Sequence, residues 1–356
     1  MAYTVFAGVG QWRAADQHSR QYGFFGFDPE LDDWMALSDG LPDQVEVRHI
    51  VVRPDRPQTI FAGTQLGPYR SDDGGETWHS LSLPEGTSAE DSVVWSICLD
   101  PNDPQTVYVG TQGTAVFRSR SGGGNWERLP ISLPPGAIVM TFPMRVVRIS
   151  VSPGDSDEII VGLEVGGLVR SLDGGETWQS CNAPLLELAE QDHLRSKILS
   201  DDETEGMMDS HSMAISQAHP DAVWLANRMG LFLSDDRAAT WREVGIGRFS
   251  PLTYARDVKV SSHDPERMYT ALSVAAVSDE GSLYRSDDFG ATWSRFDHGV
   301  EVDSTAMIVA EGVSSPDRVY FGARRGRVLG TEDGGASWRS WQLPDGTEGI
   351  YALACV

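Results

Sequence analysis

The 356-residue sequence has little lysine, little cysteine and few positive charges of any kind. Lys197 and Lys259 are the two lysines, so arginine supplies nearly all of the positive charge, and the formal net charge is −24. Binding to nucleic acid or to an anionic membrane surface needs a local excess of Lys and Arg. The composition therefore argues against both kinds of partner.

Several other features are missing. The three cysteines, Cys98, Cys181 and Cys355, lie far apart and form no metal-type pair, which favours a reducing compartment. Residues 1–10 lack the basic start and the long apolar run of a secretion signal, and no segment approaches membrane-spanning length. Motifs for a serine nucleophile, a phosphate loop or redox chemistry are also absent. We therefore expect a cytoplasmic protein with no cofactor and no metal.

What the sequence does contain is an eight-residue pattern that recurs with a Trp at its end. Its copies are Ser71–Trp78, Ser119–Trp126, Ser171–Trp178, Ser234–Trp241, Ser286–Trp293 and Thr331–Trp338, with a weaker one that ends at Trp34. Asp and Ser side chains bond nearby backbone groups, and Gly accepts a positive φ, so the pattern predicts a hairpin turn. The Trp then begins the returning strand and fills space between sheets.

The sequence around each turn also repeats. One unit runs through short apolar segments at 93–101, 106–110, 115–119 and 126–129, which read as four strands separated by turns. Seven such units, with the Trp residues 44 to 63 positions apart, predict an all-β, seven-bladed β-propeller with four-stranded antiparallel blades. We expect residues 1–356 to form this single domain.

The two ends of the chain look like two parts of one blade. Tyr3–Val9 resembles a second strand with no first strand before it, and Ile350–Val356 resembles a first strand with nothing after it. Pairing them removes two open strand edges. The C-terminal strand is therefore predicted to complete the N-terminal blade and close the propeller.

The Ser-x-Asp-x-Gly-x-Thr-Trp turns resemble the Asp-box, or BNR repeat, of sialidases, other glycoside hydrolases, sortilin-type receptors and photosystem II assembly factors. The resemblance covers essentially the whole chain and implies the fold and not a function. It also implies that the boxes lie on outer corners with a structural role. The Arg-Ile-Pro motif of sialidases is absent near the start, and the nearest string, Met144–Ser152, reads as an inner strand. The resemblance thus carries over no catalytic residue, and classical sialidase activity is not expected.

A propeller ligand usually lies in the central funnel, where the innermost strands begin. Counting along these strands places an unusual set of polar and aromatic residues there: Glu46, Arg48, His49, Trp95, Arg145, Asp209, His211, Arg256 and Tyr351. One explanation is a ring of ion pairs that packs a wet channel, since buried charge is costly unless paired. The other is a polar ligand pocket.

Within such a pocket we assign candidate roles by chemistry. Arg48, Arg145 and Arg256 would clamp an anionic group. Trp95 and Tyr351 would stack on a sugar face. His211 and His49, with Asp209, would transfer protons.

Two other kinds of chemistry stay open for the same residues. Carboxylate pairs such as Asp209 with Asp303, or Glu46 with Glu164, would suit a glycosidase. A metal site at His49, His211 and Asp209 has no supporting local spacing.

Three insertions are predicted to reach the funnel face. Gln11–Tyr22 would place Trp12 over the funnel as a binding residue, Pro130–Met144 is an apolar Pro-rich loop, and 182–209 is predicted to be partly helical. A lid over a pocket and a protein-contact patch are equally compatible with them.

The leading hypothesis is a soluble enzyme, a hydrolase or lyase, that acts on a small polar, anionic or sugar-like molecule. The alternatives are a non-catalytic protein-binding scaffold or assembly factor and a carbohydrate-binding module. The expected partner is a small molecule or carbohydrate, and the sequence does not determine the oligomeric state.

Overall fold

The computed structural model describes residues 3–10, 22–138, 140–344 and 347–356. In these residues 28 strands form seven four-stranded antiparallel sheets, which we number as blades 1 to 7 in chain order. The chain is a seven-bladed β-propeller, as the repeat predicted.

The strands follow one another along the chain within each blade. Blade 1 contains β1 (Val5–Val9), β2 (Gly23–Asp28) and β3 (Asp33–Ala36). Blade 2 contains β4 (Val47–Val52), β5 (Ile60–Thr64), β6 (Gly67–Ser71) and β7 (His79–Ser80). Blade 3 contains β8 (Val94–Leu99), β9 (Val107–Thr111), β10 (Val116–Ser119) and β11 (Glu127–Arg128). Blade 4 contains β12 (Val146–Ser152), β13 (Asp155–Leu163), β14 (Gly167–Ser171) and β15 (Gln179–Ser180).

The remaining blades have the same order. Blade 5 contains β16 (Ser210–Ile215), β17 (Val223–Asn227), β18 (Gly230–Ser234) and β19 (Arg242–Glu243). Blade 6 contains β20 (Tyr254–Val260), β21 (Met268–Ser273), β22 (Gly281–Ser286) and β23 (Ser294–Arg295). Blade 7 contains β24 (Ala306–Glu311), β25 (Val319–Ala323), β26 (Arg327–Thr331) and β27 (Arg339–Gln342). The last strand, β28 (Ile350–Cys355), belongs to blade 1.

The strand β28 pairs antiparallel with β1 and supplies the missing strand of blade 1. Val5 lies opposite Cys355 and Ala7 opposite Leu353. Leu353 and Cys355 are buried in the same apolar cluster as Val5. The prediction that the C-terminal strand completes the N-terminal blade is confirmed.

The Asp-box turns are held by a short hydrogen-bond network. In blade 4 the Ser171 hydroxyl donates to Asp173 over 2.7 Å and accepts from the Gly175 N–H over 2.8 Å. Asp173 in turn accepts from the backbone and the hydroxyl of Thr177. Gly175 has a φ of 91°, a conformation that a side chain disfavours. Four further boxes repeat this pattern around Asp73, Asp236, Asp288 and Asp333.

The Trp at the end of each box packs toward a neighbouring sheet. Trp78 of blade 2 lies 4.6 Å from Phe24 of blade 1, and Trp338 of blade 7 lies 5.3 Å from Phe296 of blade 6, measured between ring centroids. Burial of these large side chains joins adjacent blades, because aromatic rings contribute most contact area per residue.

The chain divides into two compact units, residues 1–82 with 261–356, and residues 83–260. In the second unit the long segment before β16 contains helices α1 (Asn182–Leu188) and α2 (Glu205–Met208) and a 3-10 turn at Asp192–Leu194. Leu185, Met207 and Met208 are buried against the core of blades 4 and 5. In the described residues no helix has the length and apolar character needed to cross a membrane.

Candidate active site

A cluster of charged side chains lies in the second unit, at the starts of innermost strands and in the turns that join second and third strands. Its members are Arg145, Glu164, Asp209, His211, Arg228, Tyr254 and Arg256. In blade 4 and in blade 5, one backbone hydrogen bond joins the turn after the second strand to the start of the innermost strand. The Glu164 N–H donates to the Arg145 carbonyl over 2.9 Å, and the Arg228 N–H donates to the Asp209 carbonyl over 3.3 Å.

The first part of the cluster is an arginine between two aromatic rings and a carboxylate. Nη1 of Arg145 donates to both oxygens of Glu164, over 3.0 and 2.8 Å. Its guanidinium carbon lies 4.2 Å from the centre of the Trp95 ring and 5.0 Å from that of Phe142. Cation–π contacts and the ion pair fix the guanidinium. The Arg145 side chain therefore holds Glu164 in place, and it covers one face of Trp95.

The second part is a buried histidine that lies between a carboxylate and a phenol. Nδ1 of His211 is 2.8 Å from the Ala255 carbonyl oxygen, which can only accept, so Nδ1 carries a proton. Nε2 lies 3.4 Å from Oδ2 of Asp209 and 3.4 Å from the Tyr254 hydroxyl. Nε2 thus faces both the Asp209 carboxyl group and the Tyr254 hydroxyl.

The two carboxyl groups of the cluster have pKa values displaced in opposite directions. Burial raises the pKa of Glu164, and the nearby negative charge of Asp209 raises it further, against the effect of Arg145. Burial also disfavours ionisation of Asp209, but the charges of His211, Arg256 and Arg228 outweigh it and lower the pKa of Asp209. The pKa of Glu164 is thus raised while that of its neighbour Asp209 is lowered. This pattern assigns acid and base roles in enzymes.

Tyr254 is the third titratable group of the cluster. Burial raises its pKa to about 12, so the phenol stays neutral, and its hydroxyl lies 3.4 Å from Nε2 of His211. Arg256 donates a hydrogen bond to the same phenolic oxygen. Tyr254 therefore acts here as a neutral hydrogen-bonding group and not as a phenolate.

Three other predicted site residues belong to the first unit. In the first unit Arg48 on β4 donates to Glu46 over 2.9 Å, and His49 and Tyr351 lie on β4 and β28. The use of these three residues in ligand binding or proton transfer stays a prediction. Trp12 lies outside the described residues.

The sequence did not predict that Glu164 and Asp209 belong to one cluster, or that Arg228 belongs to it as well. Glu164 shares a cluster with Asp209, a pair that was not considered from the sequence. The two pairs that were considered, Asp209 with Asp303 and Glu46 with Glu164, stay predictions. Arg228 and Tyr254 had no assigned role. The usable signal was positional, because Glu164 and Arg228 both directly follow the second strand of a blade.

Metal binding has no support in this geometry. Among residues 3–10, 22–138, 140–344 and 347–356, no three His, Cys, Asp or Glu side chains are grouped so that they could hold a metal ion.

Comparison with known proteins gives a repeat family and a set of distant relatives. The BNR/Asp-box repeat family matches residues 69–80 and 284–295, the turns of blades 2 and 6. The xyloglucanase Xgh74A of Acetivibrio thermocellus is 27% identical over 191 residues, which cover 44% of this chain and 23% of that protein. The match thus spans less than a quarter of the relative's length.

Solved structures share the fold at low identity. The GH74 xyloglucanase from Xanthomonas campestris is similar with a TM-score of 0.64 and 19% identity, over 84% of this chain and 45% of that chain. YCF48 from Cyanidioschyzon merolae has a TM-score of 0.59 and 15% identity, over 87% of this chain and 88% of that chain. A structure of YCF48 bound to D1 peptide has a TM-score of 0.54 and 14% identity, over 85% of this chain and 82% of that chain.

Proposed function

Because the chain is a seven-bladed β-propeller with Asp-box repeats and distant similarity to xyloglucanases, we propose that it is a carbohydrate-active hydrolase that cleaves glycosidic bonds at Glu164 and Asp209. The observation that carries the proposal is that Glu164, bonded to Arg145, shares a cluster with Asp209, which faces His211, and that the pKa values of the two carboxyl groups are displaced in opposite directions. Most glycosidases need such a pair, one protonated and one ionised.

Each carboxyl has a defined part in the reaction. Glu164 gives its proton to the leaving oxygen as the bond from that oxygen to the sugar carbon breaks. Asp209 either takes a proton from the attacking water or attacks the sugar carbon itself, and water then releases the sugar. Arg145 holds Glu164, and His211 holds Asp209 through Nε2. The anomer first formed, measured by NMR, distinguishes the two routes.

Substitution of the two carboxyl groups tests the proposal. Glycosides of poor and good leaving groups, together with xyloglucan oligosaccharides, serve as substrates. Glu164→Gln should lower kcat on poor leaving groups by about 10²–10⁴-fold, since general acid catalysis contributes that much. Substrates with a 2,4-dinitrophenyl leaving group need no proton, so they should largely restore its rate. Asp209→Asn should lose activity on every substrate.

The matched control is Glu158→Gln. Glu158 lies on β13 of the same blade as Glu164, is 1% exposed, and has a pKa raised by burial, but it lies outside the cluster. The Glu158 variant should keep full activity. Equal losses in all three variants, or full activity of Glu164→Gln on poor leaving groups, would remove the assignment.

A second candidate function is a non-catalytic protein-binding scaffold. The favouring observation is that the match to YCF48, one structure of which has D1 peptide bound, covers nearly the whole of both chains. A scaffold should show no glycoside hydrolysis at any pH, and Glu164→Gln and Asp209→Asn should leave partner capture unchanged.

A further inference from the structure

Arg228 is a charged side chain of the cluster to which the proposed hydrolysis assigns no role. It lies half-buried in the turn between β17 and β18, with its N–H on the Asp209 carbonyl. This backbone hydrogen bond places Arg228 next to Asp209 in the fold, and the guanidinium charge acts on both Asp209 and Tyr254. Within the described part of the chain, its guanidinium makes no hydrogen bond and no ion pair to another side chain. Its N–H donors are therefore available to a ligand.

The other two arginines of the cluster are engaged. Arg145 is bonded to Glu164 and lies against Trp95 and Phe142. Arg256 bonds the phenol of Tyr254. Arg228 differs from both because its side chain has no structural task in the described residues.

The charge of the cluster also points to the ligand. The cluster contains three arginines and two carboxyl groups. This positive excess occurs in a chain whose net charge is −24, so it does not follow from composition. An excess of guanidinium groups at a partly buried site attracts an anion, and a planar guanidinium binds carboxylate or sulfate oxygens in pairs.

We infer that the substrate is an acidic sugar, and that Arg228 binds the carboxylate or sulfate carried by the ring next to the bond that is cleaved. That the acidic sugar is a substrate rests on the proposed hydrolysis. That Arg228 binds an acidic sugar does not depend on hydrolysis. Arg228 is then the residue that determines specificity for acidic over neutral sugars.

The test measures binding apart from turnover. Isothermal titration calorimetry at pH 7 compares glucuronate, glucose 6-sulfate and glucose on the whole chain. We expect at least one of the two acidic sugars to bind about tenfold or more tightly than glucose, since an Arg–anion pair is charge-assisted. Arg228→Gln should abolish that preference, and Arg228→Lys should keep part of it because the charge remains without the planar fork.

The control variant is Arg242→Gln in the same blade, whose side chain is 60% exposed on β19 and pairs with Asp235. It should bind as the unsubstituted chain does. Preference for glucuronate assigns a carboxylate, and preference for glucose 6-sulfate assigns a sulfate. Equal affinity for glucose and the acidic sugars, no binding of any sugar, or a preference that survives in Arg228→Gln overturns the inference.

Hydrolysis assays separate this inference from the proposed function. If acidic sugars bind through Arg228 but no glycoside is cleaved, recognition stands and the hydrolase proposal fails. If neutral glycosides are cleaved as fast as acidic ones, and equally by Arg228→Gln, the hydrolase proposal stands and this inference fails.

Discussion

His211 contacts both Asp209 and Tyr254, and its effect on Asp209 can be tested directly. The side chain is 3% exposed, is anchored through Nδ1, and its charge and hydrogen bond lower the pKa of Asp209. His211→Gln removes the charge, so the pKa of Asp209 should rise. In the proposed mechanism the ionised form of Asp209 is the active one, so the acidic limb of the kcat/KM profile should move to higher pH. The loss of activity should therefore grow as the pH falls.

A matched histidine controls for the substitution itself. His193→Gln removes an exposed imidazole bonded to Glu243 outside the cluster, and it should leave the pH profile unchanged. Melting temperatures of both variants show whether folding is affected. An acidic limb that stays in place in His211→Gln would mean that His211 does not act on Asp209.

For single residues of the candidate site, the sequence predicted the position along a blade but not the residues that each one contacts. Counting along the innermost strands placed Arg145 and Asp209 at one level and His211 and Arg256 two residues further along, and these four lie in one cluster. The partner of each depends on packing between adjacent blades, and no sequence spacing encodes it. Glu164 therefore could not be assigned to Asp209 from sequence.

Among the structural elements, the Asp-box turn was the most predictable because its chemistry is local. The hydrogen bonds that Ser171 and Asp173 make within the blade 4 box join residues at most four positions apart. Asp and Ser side chains in such turns replace backbone partners, whatever the rest of the fold does. The helices of the segment before β16 carry no such local pattern, and tertiary packing of Leu185 and Met208 determines where they lie.

The box also makes a prediction about acid stability. Hydrogen bonds from Thr177 and Ser171 lower the pKa of Asp173 to about 2, below its ordinary 3.8. A carboxyl with a depressed folded-state pKa contributes stability above its unfolded pKa and loses it as the pH falls through the folded value. Asp173→Asn should therefore be less stable at pH 7, and its free energy of unfolding should change less between pH 4 and pH 2. Urea denaturation at several pH values measures both effects.

The box of blade 3 gives the reciprocal variant. In this box Ser121 takes the place of the Asp, and Asn125 takes the place that Thr177 has in blade 4. The Ser121 hydroxyl accepts a hydrogen bond from the Asn125 N–H. Ser121→Asp should raise stability at pH 7 and add acid sensitivity below pH 4, the opposite of Asp173→Asn. The same sign of change in both variants would contradict a carboxylate role in the turn.

For the whole molecule, the pairing of β28 with β1 makes the two ends of the chain part of one blade. The Val356 N–H donates to the Thr4 carbonyl over 2.9 Å, and Ile350 and Leu353 are 0% and 3% exposed. Burial of each such side chain contributes roughly 1.5–3 kcal/mol, and removal of β28 would also leave β1 as an open edge. A chain ending at Gly349 should therefore lose cooperative unfolding or precipitate.

A circular permutant tests whether blade 1 requires only the presence of β28 or also its position at the C-terminal end of the chain. A short flexible linker joins Val356 to Met1, and the chain is opened between Glu85 and Gly86, an exposed turn in which a Cβ on Gly86 would meet no atom within 4 Å. All seven blades keep their strands, so the permutant should match the original chain in its circular dichroism spectrum and its urea midpoint. If the chain ending at Gly349 unfolds while the permutant does not, the strand itself is what blade 1 requires. If the permutant also unfolds, pairing of β28 with β1 is not sufficient for stability. The order of the strands along the chain would then matter as well.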